Sequence, residues 1–316
     1  MVIDERVGPV SVARAYFLTQ AVGGAAWWVA VFASEDVRRW TLGGWDPAIV
    51  VAPDLILFVG TSALAALLGS RFAALGAAVW TTAVTLALGL YGLAEQEAGW
   101  GVVLMSIATV CTLAATATMW FGFLPTGWFF VGPFSFHVAD EASDAGHLRR
   151  SLAQLVVFWT TFFVVVPLVV MVVEERLGLS WSALDQPGVC LAGVSIFLVG
   201  SAVGLWSCVT MALRGKGTPL PAETARELVV TGPYRFIRNP MAVGGLLQTV
   251  GVGLAIGSWI VILIAVAGAL VWNHLIRRTE EADLAERFGD PYRRYAERVR
   301  CWVPTRPDPK ARHLGP

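Results

Sequence analysis

Charge is scarce in this chain. Asp, Glu, Lys and Arg make up 15% of its 316 residues, against 56% hydrophobic. Length alone would allow two soluble domains, but so little charge could not solvate their surfaces. An excess of either sign is missing too, the formal net charge being zero. The charges are segregated along the chain, and no nucleic-acid partner is expected. Cysteine is sparse: Cys111, Cys190, Cys208 and Cys301 show neither CxxC nor metal-ligand spacing, and three lie in apolar runs. They read as packing residues, and no metal is expected. A signal peptide is not expected either, because Arg14 interrupts the early sequence and no small-residue cleavage site follows a short apolar core. What the chain has instead is tryptophan, 14 in all. It also has several uncharged stretches at or beyond the ~18 residues that mark a membrane-crossing helix.

These features predict an all-α polytopic membrane protein of about eight spans, near 14–34, 48–70, 72–94, 99–122, 151–173, 188–213, 241–257 and 259–276. The last two share one charge-free run of 36 residues, Met241–Ile276. As a single helix it would be about 54 Å long, well beyond a ~30 Å hydrocarbon core. Gly257–Ser258 is the natural turn of a hairpin, in which Gly244, Gly245, Gly251, Gly253 and Gly257 would allow close helix contact. Eight spans put both termini on one side. That side carries 20 Lys and Arg, the other only Arg38, Arg39 and Arg176. The asymmetry predicts cytoplasmic termini and cytoplasmic motif segments. The chain then divides into a four-span module of unassigned role (1–125), a loop with span five (126–187), a C-terminal unit (188–305) and a polar tail (306–316).

The first four spans hold little chemistry. Asp54 follows Pro53 at the start of span two, and an acid there is either functional or at interface depth, the second being the plainer reading. Trp27, Trp28, Trp40, Trp45 and Trp100 read as interfacial anchors. His137 and His147, ten residues apart in the following loop, lack helical spacing and a third ligand, and read as solvated.

The chemistry gathers in two polar segments joined by the apolar hairpin. In 214–240, Pro219, Pro221, Pro233 and Pro240 impose turns and extended backbone. Tyr234, Arg235, Phe236, Arg238 and Asn239 offer an aromatic face, cations and an amide within six residues. Such a set suits a nucleotide-like ligand, and equally a loop whose aromatics and arginines meet lipid headgroups. Beyond the hairpin come Arg277, Arg278 and the pair Glu280–Glu281. Glu280, Leu284 and Phe288 recur at i, i+4 and i+8, which puts one carboxylate on an apolar stripe. Glu281 and Glu286 read as solvated helix-surface acids.

At these residues the chain resembles a known family. TGPYRFIRNPM, an apolar hairpin and EEADLAERFGDPYRRYAERVRCWVP are similar to the isoprenylcysteine carboxyl methyltransferase and phospholipid methyltransferase superfamily. The resemblance covers about 188–305. It departs at Asn239, where the family usually has His, and at Ala242, where it often has Tyr. A third departure is Ile276, which stands where eukaryotic members carry an acceptor-binding Arg. The resemblance implies S-adenosylmethionine as methyl donor, held by Arg226, Glu227, Leu228, Val229, Tyr234, Asn239, Pro240, Met241, Ala242 and Glu280. Arg238 would take a carboxylate. The acceptor would be a lipophilic small molecule or lipidated group reached from the membrane lipids. If it is a carboxylate it is already ionised and needs only an orienting cation, Arg277 or Arg278. An amine or thiol would need a base, and His274 is the candidate. Of the two, Arg277 lies nearly on the face of Glu280, with Arg278 turned away as a surface anchor. Two other classes compete: an NADPH-dependent membrane reductase of related fold, and a non-catalytic scaffold or permease. The acidic pair with F-G-x-x-Y-x-x-Y speaks for the methyltransferase. Spans without paired half-helix breaks or an inverted repeat speak against transport.

Overall fold

The computed structural model describes residues 8–125, 137–138, 144–215 and 223–305. The side chains of His137 and His147, the stretch 216–222 and the tail beyond residue 305 lie outside the described residues. Within them the long elements are all helices, and the strands are a two-residue parallel pairing of β1 (His137–Val138) with β2 (Glu223–Thr224).

Among the described residues, seven helices are long and apolar enough to cross a membrane. They are α1 (Pro9–Ala33), α3 (Pro47–Leu68), α4 (Arg71–Glu95), α5 (Gly99–Phe121), α6 (Ser151–Arg176), α7 (Pro187–Gly215) and α9 (Trp259–Phe288). Between α1 and α3 lies the short α2 (Glu35–Leu42), and α10 (Asp290–Arg298) follows α9. The remaining apolar helix, α8 (Pro240–Ala255), has 16 residues. At 1.5 Å per residue that is about 24 Å, short of a ~30 Å core. The structure thus gives seven full-length spans and one short one where the hydropathy pattern predicts eight.

The chain forms two compact units, one of residues up to Thr126 with Val173–Leu179, the other of Gly127–Val172 and Ser180 onward. In the first, the packing is of small residues: Ala13, Ala65, Ala66, Ala74, Ala77 and Ala115 close around Phe17 and Met119. Asp54 is buried, and its two oxygens accept from the indoles of Trp28 and Trp80, each at 2.8 Å. A carboxylate in an apolar bundle persists when both oxygens are satisfied in this way. Two expectations change here. Trp28 is a buried partner of Asp54, and Trp27 donates to Thr41 Oγ1 at 3.1 Å. Their indole N–H groups need acceptors in an apolar medium, and helix packing supplies them. Trp40 and Trp100 remain exposed.

The second unit is built on the tightest helix pair of the chain, α7 against α8. A Cβ at Gly193 would lie 2.5 Å from the Ala255 nitrogen, at Gly200 2.9 Å from Gly244 O, and at Gly251 2.6 Å from the Phe197 nitrogen. Backbone therefore meets backbone. Gly244 and Gly251 thus serve contact with α7, not the hairpin expected from the sequence. Only Gly253 faces α9, through Ser258 and Ile262. The turn itself forms as the sequence suggests. Gly257 takes φ +72, and Ser258 Oγ caps α9 by accepting from Val261 N–H at 3.2 Å.

Candidate functional site

After α7 the chain leaves the helical bundle, and Gly215 O accepts from the backbone N–H groups of Arg226 and Glu227 at 2.8 and 3.2 Å. Gly232 then adopts φ +59 against Thr210, where a Cβ would lie 2.8 Å from Oγ1. A single 3₁₀ turn, Gly232–Arg235, carries Tyr234 inward, where it is buried. The closing motif returns to clamp this turn. Tyr295 Oη donates to Tyr234 O at 2.6 Å, Arg238 N–H donates to Arg300 O at 3.0 Å, and Thr305 N–H donates to Phe236 O at 2.8 Å. Arg287 Nη2 donates to Ala225 O. The two polar segments are therefore one structural piece.

Asn239 caps α8, its Oδ1 accepting from Ala242 N–H at 3.0 Å. Asparagine is among the strongest N-caps, which gives this residue a local reason. Its amide nitrogen points the other way, 3.5 Å from Glu280 Oε2. Glu280 projects from α9 beyond the apolar run, which ends at Ile276, after the π-helical turn Trp272–Ile276.

The next residue departs from expectation. Glu281 is the hub of the polar cluster: its Oε1 receives Arg238 Nη1 at 3.0 Å and Arg277 Nε at 2.9 Å. Arg277 pairs at i+4 with Glu281, not at i+3 with Glu280, and its Nη1 donates to Asn273 Oδ1 at 2.9 Å. Asn273 Oδ1 also accepts from Trp302 Nε1 at 2.8 Å. The solvated-acid reading of Glu281 is corrected, because two guanidinium groups converge on it from separate segments.

A cavity of about 530 Å³ opens beside this cluster, within the range of small-molecule sites. Of the sequence-selected residues, Glu227, Leu228, Val229, Tyr234, Arg238, Asn239, Met241, Ala242, Arg277 and Glu280 line it. Arg226 and Pro240 do not. Pro240 is fully buried in the first turn of α8. Arg278 and His274 are exposed and off the lining.

The cavity also takes residues that the sequence did not single out. From α6 come Gln154, Phe158, Trp159, Phe162 and Phe163; from α9, Ile264, Gly268 and Trp272; and from the closing segment, Tyr292 and Tyr295. Phe158 and Phe162 stack at 4.6 Å, one helical turn apart. That i, i+4 aromatic spacing was the available signal for α6, together with the single amide of Gln154 in an apolar span. On the continuous helix α9, Ile264 and Glu280 are 16 residues apart, about 24 Å along the axis. The cavity therefore runs from a charged end to an apolar, aromatic one.

Electrostatics single out Glu280. Burial, then the neighbouring charges of Glu281 and Asp283, push the Glu280 carboxyl up to about 7. Burial likewise raises Tyr234 well above the ordinary phenol range, and Tyr292 to about 12. Among the described residues, three buried polar atoms of the lining find no hydrogen-bond partner: Tyr234 Oη, Arg238 Nε and Gln154 Oε1. Buried polar atoms without partners are costly, and a bound ligand would satisfy them.

Comparison with known proteins points the same way. Residues 189–291 match the model of the phospholipid methyltransferase family. A Protein-S-isoprenylcysteine O-methyltransferase of Schizosaccharomyces pombe is 32% identical over 82 residues, covering 25% of this chain and 34% of that protein. The chain thus spans about a third of that relative's length. No solved structure gives a significant match. The matched segment 189–291 carries α7, α8, the apolar run of α9 and the charged end of the cavity, so the similarity to the phospholipid and isoprenylcysteine methyltransferases falls on the part of the chain that builds this site.

Proposed function

We propose that this chain is an integral-membrane, S-adenosylmethionine-dependent methyltransferase acting on a lipophilic acceptor, with a carboxylate the favoured nucleophile. One observation carries the reading: ten motif residues and the apolar faces of α6 and α9 line one cavity that is charged at one end and apolar at the other. The chemistry of the lining fits such a donor. Glu280 offers a carboxylate to a cation or to ribose hydroxyls. Tyr234 Oη and Gln154 Oε1 offer unspent hydrogen-bonding groups, and Leu228, Val229 and Met241 offer an apolar slot for a flat ring.

The bound donor would supply an electrophilic methyl group. The chain's own residues then need to orient, to exclude water and to hold the acceptor in line, so that catalysis is largely proximity. A carboxylate acceptor is ionised at neutral pH and brings its own nucleophile. Among the described residues no imidazole lines the cavity, which supports an acceptor that needs no base. Arg277, which lines the cavity and follows directly on the apolar run of α9, would orient that anion. Phe158, Trp159, Phe162 and Phe163 would receive its apolar body from the bilayer.

The test is equilibrium binding of radiolabelled S-adenosylmethionine to the purified chain, with NADPH as competitor, on wild type and Glu280→Gln. Wild type should bind the donor, NADPH should leave it bound, and Glu280→Gln should weaken it by roughly 30- to 1000-fold, the loss of about 2–4 kcal/mol for a charge-assisted bond and its stranded partner. Displacement by NADPH would favour a reductase. A screen of lipid extracts for methylated products by mass spectrometry would then name the acceptor.

A further inference from the structure

The charged end of the cavity holds two arginines and two adjacent glutamates, yet the pairing is lopsided. Arg238 and Arg277 both bind one oxygen of Glu281. Among the described residues no cation pairs with Glu280, whose one hydrogen-bonding neighbour is the Asn239 amide at 3.5 Å. This is not forced by reach. On a helix Arg277 can meet a carboxylate at i+3 as readily as at i+4, so Glu280 was an available partner.

The surroundings of Glu280 add no positive charge. Its own helix α9 contributes Glu281 and Asp283, both acidic, with Arg277 turned to Glu281 and Arg287 to Asp283 at 3.1 Å. Tyr234 faces it from the 3₁₀ turn, Asn239 from the start of α8, Tyr292 from α10 and Cys301 from the segment beyond. A half-buried carboxylate among like charges and with no cation is unfavourable, and its carboxyl is correspondingly raised to about 7.

Resting on the donor-binding reading above, we propose that Glu281 is a positioning residue: by holding Arg238 and Arg277 together it keeps both off Glu280, leaving that carboxylate as a receptor for positive charge. The site then discriminates by charge. The sulfonium donor carries one more positive charge than S-adenosylhomocysteine, the neutral thioether left after transfer. The donor is held by the unpaired carboxylate, and the product loses that attraction as soon as the methyl group leaves. Binding of the cation drives Glu280 to its ionised form, and the proton leaves to solvent.

The experiment is a paired titration of S-adenosylmethionine and S-adenosylhomocysteine on the purified full chain between about pH 6 and pH 8.5. The proteins are wild type, Glu281→Gln, and Glu281→Gln combined with Arg277→Gln. Wild type should prefer the donor by at least about tenfold at the alkaline end, with the preference shrinking as the pH falls below about 7. Glu281→Gln frees Arg277 to close on Glu280. The preference should drop to less than about threefold, with its pH dependence moved to lower pH, while product affinity changes little. Removing Arg277 as well should restore much of the preference, a rescue that a merely structural role for Glu281 would not give.

Equal affinity of wild type for the two ligands overturns this inference alone, and so does a Glu281→Gln protein with unchanged preference and pH profile. Wild type that binds neither overturns the donor-binding reading and this one with it. Should Glu281→Gln bind neither ligand, Glu281→Asp decides: it keeps the charge and must keep the preference, and its failure overturns the inference.

Discussion

Arg238 Nη1 lies 3.0 Å from Glu281 Oε1, across 43 residues of sequence and an entire membrane hairpin. The pair joins the turn before α8 to the helix after the apolar part of α9, with Arg277 on the same oxygen. The hairpin length and the Gly257 turn set this meeting, because α8 and the apolar run of α9 are close to equal in length.

The first prediction concerns stability and pH. Glu280 is raised from its ordinary value to about 7. The folded, ligand-free protein thus holds a proton that the unfolded chain releases above about pH 4.5. Its contribution is fully present below that unfolded value and is lost as the pH rises through about 7. Thermal melts of the purified ligand-free chain should therefore show wild type losing stability relative to Glu280→Gln between about pH 5 and pH 8, by about 1–3 kcal/mol. A constant difference between the two proteins over that interval would show that the Glu280 carboxyl is not raised in the folded chain.

The second concerns the arginines. Arg277 lines the cavity, and Arg278 is exposed and off it. Arg277→Ala should lower methyl transfer at least about tenfold with donor affinity changed less, as for a group that orients the acceptor. Arg278→Ala should be nearly silent. Steady-state kinetics in bilayer discs separate the two effects, and equal losses would remove Arg277 from the acceptor role.

A third follows from the α7–α8 contact. A Cβ at Gly251 would lie 2.6 Å from the Phe197 nitrogen and 2.8 Å from Gly193 O, both backbone atoms that cannot move aside alone. Gly251→Val should destabilise the second unit by about 1–3 kcal/mol or more. Gly245→Val, with nothing within 4 Å, should fold normally. Matched thermal melts in detergent would check the pair, and equal melting would mean that α8 does not seat on α7 in this way.

The fourth is topological. The positive-charge asymmetry predicts that the motif segments lie in the cytoplasm. Reporter fusions near residues 95, 180 and 258 should report the outer side, and those near 145, 225 and 305 the inner side. An outer signal near 225 would separate the cavity's charged end from cytosolic donor and end the proposed function.

The helical spans were legible in the sequence to within a few residues, save at the start of α1 and the end of α9, because in lipid the hydropathy of a stretch and its backbone hydrogen bonding both demand a helix there. So was the hairpin turn at Gly257–Ser258, since 36 apolar residues cannot span once. The placement of Glu280 followed from the stripe it shares with Leu284 and Phe288. Those are one-dimensional properties: period, run length and the conformational needs of single residues.

What only the tertiary structure decided is which neighbour each group meets. Sequence periodicity puts Arg277 within reach of both Glu280 and Glu281. The choice of Glu281 depends on Arg238 arriving from 43 residues away to share the same oxygen. The glycines of α8 announced a close contact but not its partner, and backbone geometry assigned Gly244 and Gly251 to α7. Likewise α6 looked like one more apolar span until its aromatic face was found lining the cavity. A helix's apolar face is nearly the same whether it meets lipid, another helix or a ligand, so composition cannot tell these apart. Distance in three dimensions does.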